Sequence, residues 1–189
     1  MRGMAITDHG NMFGIKEFFD YSKSVNKKLK EEGLEPFKPI FGCEMYVSRY
    51  GKKEKKDGKT DMGGYHLIVL AKNSKGYHNL VKLVSRAWVD GFYMRPRTDH
   101  EDLEKYHEGL IVCSACIAGE VPHKILENDI EGARQSIEWH KRIFGDDYYL
   151  ELQRHEVTDP NVRANRETYP LQQKANKILV ELAREYGVK

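Results

Sequence analysis

Side chains that bind first-row metals recur in this sequence at the ends of apolar runs. Asp8 and His9 follow Gly3-Met4-Ala5-Ile6-Thr7 directly, and Gly10 permits a tight backbone path after them. Glu44 is an acid inside the otherwise apolar run over residues 40–47, Ser114-Ala115-Cys116 follows a run over 110–113, and Gln153-Arg154-His155 follows one over 149–152. Carboxylate, imidazole and thiolate are the donors that zinc, manganese and iron take. In α/β folds such groups gather over the C-terminal ends of strands. Each residue alone has an ordinary alternative: a strand Glu pairs with a base, a Cys fills the core, an Asp-His-Gly turn caps a helix. His66 opens its apolar run instead of closing it, the wrong end for a site above a simple parallel barrel. Either the segment before it changes how that strand enters, or His66 is structural.

The elements that must position these groups follow from hydrophobic periodicity. Strands are predicted over residues 3–6, 39–47, 65–71, 110–113 and 148–152. A helical face of Ile15, Phe18, Phe19, Val25 and Leu29 runs toward Gly33. Asn73 or Ser74 caps a helix whose stripe is Tyr77, Leu80, Val81, Val84 and Trp88. Two further stripes, Ile130 to Phe144 and Leu171 to Leu182, complete the set. Strands alternating with helices of this length imply βαβ units and a mostly parallel sheet. The chain is expected to be a single domain over 1–189, opening on a strand and stopping just after a helix as though cut at both ends.

Composition excludes several classes. Of 189 residues, 40% are hydrophobic and 32% charged, a globular balance with no run of the roughly 20 apolar residues that crosses a bilayer. Three cysteines and no export signal predict reduced thiols and a cytoplasmic location. A formal net charge of +2 gives no global pull toward nucleic acid. The basic residues instead cluster over 52–59, which reads as the solvated tip of a lysine-rich hairpin excursion near 49–63, with a DNA-backbone contact as the alternative. Walker A, Gly-x-Ser-x-Gly, dinucleotide-binding, zinc-finger and His-Glu-x-x-His patterns are all missing from the sequence.

The string Gly3-Met4-Ala5-Ile6-Thr7-Asp8-His9-Gly10-Asn11-Met12-Phe13-Gly14 closely resembles the second motif of PHP domains in bacterial DNA polymerase III alpha subunits. So do Pro39-Ile40-Phe41-Gly42-Cys43-Glu44, and Tyr65-His66-Leu67-Ile68-Val69-Leu70-Ala71-Lys72-Asn73 with Gly76-Tyr77-His78-Asn79-Leu80 after it. Gly91-Phe92-Tyr93-Met94-Arg95-Pro96-Arg97, Ser114-Ala115-Cys116-Ile117-Ala118-Gly119-Glu120 and Tyr149-Leu150-Glu151-Leu152-Gln153 continue the likeness in order. The resemblance implies a (β/α)7 barrel, incomplete in this chain, with up to three divalent metals (zinc, manganese or iron) at its mouth. It carries His9, Glu44, His66 and Cys116 over as metal ligands and Asp8 as a supporting or capping residue. His155 matches no ligand position. The family's first His-x-His motif and its late Asp-x-His motif are not in the sequence, so a full three-metal site is not implied for this chain.

The same resemblance implies metal-assisted phosphoester hydrolysis on a DNA 3′ end or on pyrophosphate, inside a parent DNA-directed DNA polymerase (a nucleotidyltransferase). Arg95 and Arg97 beside Tyr93 are candidates to grip a phosphate, or else to pair with acids on the rim. Two other readings stand beside it: an architectural module that braces the rest of the polymerase and docks a proofreading exonuclease subunit, and a free-standing PHP phosphatase. No paired aspartates for nucleotidyl transfer are recognised, so the implied partners are the remainder of the alpha subunit, DNA through it, and no membrane.

Overall fold

A computed structural model describes residues 1–55 and 63–189. The chain divides into two compact units, one formed by Met1–Gly64 with Ile68–Leu110 and the other by Tyr65–Leu67 with Ile111–Lys189. Strands and helices alternate in both, so the fold is α/β, as the periodicity predicts. No helix among the described residues is long and apolar enough to cross a membrane.

In the first unit β1 (Gly3–His9) leads through α1 (Ile15–Glu31) to β2 (Lys38–Val47), and the two strands pair in parallel from Gly3↔Lys38 to His9↔Glu44. A right-handed crossover through a helix is the usual route between parallel neighbours. β3 (Tyr65–Ala71) lies next to β2. The Cβ position of Gly42 is 2.7 Å from the Val69 carbonyl oxygen, while that of Gly64 is 2.8 Å from the Val47 carbonyl oxygen. Partner numbers fall along β3 as they rise along β2, so β3 runs antiparallel to β2. The β1–β2, β2–β4 and β5–β6 pairings are parallel, in keeping with the mostly parallel sheet expected from sequence, and β3 is the strand that reverses direction.

Asn73 accepts the Gly76 N–H at 2.9 Å and caps α2 (Ser74–Val89), which buries Leu80, Leu83, Val84 and Ala87. Each of the leucine and valine side chains contributes on the order of 1.5–3 kcal/mol by leaving water. Val81 and Trp88, read from sequence as part of the buried stripe, are instead 39% and 44% exposed. A tight approach fixes the helix start, since a Cβ on Gly76 would stand 1.7 Å from the Gly109 carbonyl oxygen. The short strand β4 (Arg97–Thr98) pairs with Tyr46 and Val47, and α3 (His100–Lys105) follows, capped by Asp99.

The lysine-rich segment departs from its sequence reading at its first residue. Lys52 is 3% exposed, with its ammonium 2.6 Å from Asp102 and 3.4 Å from Asp99. Arg86 Nε donates to both oxygens of Asp102 at 3.0 Å. A buried ammonium is tolerated here because it is paired with two carboxylates that are themselves hydrogen-bonded. Residues 49–55 form bends and turns rather than a strand, and residues 56–62 of the expected hairpin lie outside the described residues.

In the second unit β5 (Leu110–Cys113) pairs in parallel with β6 (Tyr148–Tyr149) through Val112↔Tyr148 and Cys113↔Tyr149. Between them run α4 (Glu120–Leu126) and α5 (Ile130–Phe144). A closing helix α6 (Tyr169–Tyr186) buries Ala175, Leu179 and Leu182 and ends on left-handed Gly187, a common helix stop.

Candidate metal centre

Two pairs of metal-donor side chains are assembled, one in each unit. In the first, the register of β1 against β2 makes His9 and Glu44 direct partners, and His9 Nδ1 meets Glu44 Oε2. Opposed residues on neighbouring strands project to the same face, so one register sets both donors. The Glu44 side chain is only 10% exposed whereas that of His9 is 77% exposed, so a carboxylate held in the protein steadies an imidazole that faces solvent. Gly10 closes the strand with φ +67°, and its N–H donates to the Glu44 carbonyl at 2.8 Å. A Cβ there would come within 2.8 Å of Pro96 and 3.0 Å of Tyr46. Asp8 points elsewhere: its carboxylate accepts the Gly14 N–H at 2.9 Å, at the N-cap of α1.

In the second unit, Cys116 Sγ stands 3.6 Å from His66 Nδ1. The loop that presents the thiol is tightly wound. Ala115 adopts φ +60°, a left-handed conformation that costs a non-glycine residue about 1 kcal/mol or more. Ala118 N–H donates to Cys116 Sγ at 3.4 Å, and Gly119 N–H to the Cys116 carbonyl at 2.7 Å. His66 is joined to the same loop through its own N–H, donated to the Ala118 carbonyl at 3.0 Å. A side chain at Gly119 would lie 1.9 Å from the Ser114 carbonyl oxygen, which explains the glycine. His66 is the second residue of β3.

The donor set fits a divalent cation. Two ligands on one tetrahedral zinc, a sulfur at roughly 2.3 Å and a nitrogen at roughly 2.05 Å, stand about 3.6 Å apart. That is the separation found between Cys116 and His66. The other two cysteines are also free thiols. Burial pushes the Cys43 thiol up to about 12 and the Cys113 thiol up to about 11, which keeps both protonated at neutral pH where no metal binds them.

The arginine candidates separate. Arg97 is 0% exposed, with its guanidinium donating to the backbone carbonyls of Gly91, Lys52 and Glu54 at 3.2, 2.9 and 3.1 Å and lying over the Tyr93 ring. Buried among those carbonyls, its guanidinium is less suited to gripping a phosphate than an exposed arginine would be. Arg95 is exposed, 4.7 Å above the Tyr46 ring. His155 is also exposed and is bound through Nδ1 to Gln172 Nε2 at 2.7 Å. Sequence reading did not find Trp88, whose indole N–H donates to the Gly10 carbonyl at 2.8 Å. No local pattern signals a contact between residues so far apart in the chain.

The PHP domain profile matches residues 1–155. Along its length the chain is similar to DNA polymerase III subunit alpha of Borreliella burgdorferi, 45% identical over 188 residues covering 100% of the chain and 14% of that relative. It is similar to the subunit of the same name from Thermus aquaticus, at 40% identity covering 98% of the chain and 13% of the relative. The Aquifex aeolicus subunit gives 40% identity over 100% of the chain and 15% of the relative. The chain therefore spans about a seventh of the length of these curated relatives. With the metal-donor motifs in order on an α/β scaffold and the profile matched across both donor pairs, the chain belongs to the PHP domain family.

Proposed function

We propose that this chain is the PHP portion of a DNA polymerase III alpha-type protein acting in DNA replication, and that His9, Glu44, His66 and Cys116 hold divalent metal there. The Cys116–His66 separation of 3.6 Å carries the reading, because it suits two ligands of one ion. The His9–Glu44 pair adds a mixed nitrogen and oxygen donor set, and the family likeness supports a metal-binding role for each pair. Thiolate and imidazole favour zinc or iron, and carboxylate with imidazole also accommodates manganese.

The chemistry is metal-dependent phosphoester hydrolysis in the intact protein, on a DNA 3′ end or on pyrophosphate. A bound divalent ion supplies charge neutralisation for phosphoryl oxygens and acidifies water. Within this chain Glu44 orients the His9 imidazole, the Ala115–Gly119 turn orients the Cys116 sulfur, and Arg95, exposed over Tyr46, is placed to meet a phosphate. Polymerisation itself and contacts with a proofreading exonuclease belong to the parent protein.

The test is metal content per chain, by elemental mass spectrometry after dialysis from zinc and from manganese. About one equivalent or more is expected, falling in Glu44→Ala and His66→Ala. Metal-free protein from both dialyses would contradict the reading. An architectural role is the second reading, favoured by Phe13 and Val89 at 82% exposure and Met94 at 63%. Apolar side chains left in water at that level suit a covered protein surface. A full-length polymerase that keeps its stability when all three are changed to serine would count against it.

A further inference from the structure

We infer that Trp88 is a positioning residue for the His9–Glu44 pair, fixing the turn after His9 through its indole N–H; the inference rests on the metal reading above. Trp88 sits in the last turn of α2, and its Nε1–H donates to the Gly10 carbonyl at 2.8 Å. On the other side of Gly10, the N–H donates to the Glu44 carbonyl at 2.8 Å. The residue immediately after His9 is thus bonded through both of its backbone polar groups, once to the strand that carries Glu44 and once to a helix.

That double anchorage supports the strand register and the Glu44 contact that aim His9. Its side chain is 77% exposed, so core packing does not select its rotamer. Gly10 is the flexible point, with φ +67° and no Cβ. Without the indole, the Gly10 carbonyl loses its tie to α2, and the turn that follows His9 is held less firmly toward Glu44. Groups that orient a metal ligand from behind typically cost 10–100-fold in affinity when removed.

The type and placement of the side chain agree with this role. Trp88 is 44% exposed, so it is not filling the core, and a leucine would serve a helix stripe as well. Its ring stacks on Phe92 with centroids 5.5 Å apart and planes at 23°. The stack restrains the indole whose N–H meets the turn, and phenylalanine would keep the ring while losing that donor.

The experiment measures Zn2+ affinity of the 189-residue chain by calorimetry for wild type, Trp88→Phe and Phe92→Leu. Trp88→Phe keeps the stack and loses the N–H, whereas Phe92→Leu weakens the stack and keeps the N–H. Trp88→Phe is expected to bind about tenfold more weakly, with Phe92→Leu within about twofold of wild type. A second measurement leaves Trp88 in place: in Trp139→Phe the only tryptophan left is Trp88, since the chain has two. Its emission is expected to shift on adding Zn2+, and not to shift in Trp139→Phe combined with Glu44→Gln. Unchanged affinity in Trp88→Phe, equal losses in both variants, or a silent Trp88 during measured binding would each overturn the inference alone. Wild-type chain that binds no Zn2+ would overturn it together with the metal reading.

Discussion

His9 and Glu44 are register partners on adjacent parallel strands, and their side chains meet although one is mostly in water and the other mostly out of it. The carboxylate is fixed by its strand and the imidazole is oriented by the carboxylate. Glu44→Gln preserves size and hydrogen-bonding shape while removing the charge. Its expected effect is at least tenfold weaker divalent-metal binding with an unchanged far-ultraviolet circular dichroism spectrum. Equal affinity in the variant would remove Glu44 from the ligand set.

Gly119 tests the second pair through the backbone. A methyl group there meets the Ser114 carbonyl at 1.9 Å, so Gly119→Ala must displace the loop that carries Cys116. The expected result is a loss of about 2 kcal/mol or more in urea unfolding, accompanied by weaker zinc binding. A variant with wild-type stability and affinity would show that the loop has room the structure does not give it.

The buried charges of the first unit make a separate prediction about stability. Lys52→Met leaves the Asp99 carboxylate without its ammonium and Asp102 with Arg86 alone. Breaking a buried pair from one side costs about 3–5 kcal/mol, and the remaining Arg86 contact places this case near the lower end. Urea denaturation should show a loss of about 3 kcal/mol, and a loss below about 1 kcal/mol would contradict the pairing.

Asp99 gives that network a pH signature. Burial alone would push its carboxyl up, but N–H groups of Asp102 and Lys52 and the Lys52 charge outweigh burial and hold it below the ordinary value. A carboxyl lowered by folding stabilises the protein above the unfolded value of about 3.9. That contribution disappears as pH falls through the folded value. Stability measured from pH 6 down to pH 2 should therefore fall more steeply in wild type than in Asp99→Asn, which keeps a capping oxygen and does not titrate. Parallel curves would show that Asp99 is not depressed.

Much of this fold was legible in the sequence because its signals are local. The strand over 65–71, the strand over 110–113 and the helix over 130–144 have the bounds that periodicity gave, and Asn73 is the cap that its side chain suggested. The strand expected over 148–152 is shorter, Tyr148–Tyr149, and β4, α3 and α4 were not foreseen. Two and six residues are too few for β4 and α3 to show a period. The direction of β3 was hidden because pattern reports strand identity, not orientation. Lys52 was misread for the same reason: a charge looks solvated in sequence until distant partners, here Asp99 and Asp102, enclose it. The donor residues were recognised through ordered motifs, and their pairing follows from β1–β2 register and from the Ala115–Gly119 turn.

Ligation of metal by Cys116 is tested by loading the chain with Co2+ and recording the sulfur-to-cobalt charge-transfer absorbance, which appears only when a thiolate is a ligand. A band is expected in wild type, in Cys43→Ala and in Cys113→Ala, and its disappearance in Cys116→Ser. A band that survives in Cys116→Ser, or none in wild type, would contradict it.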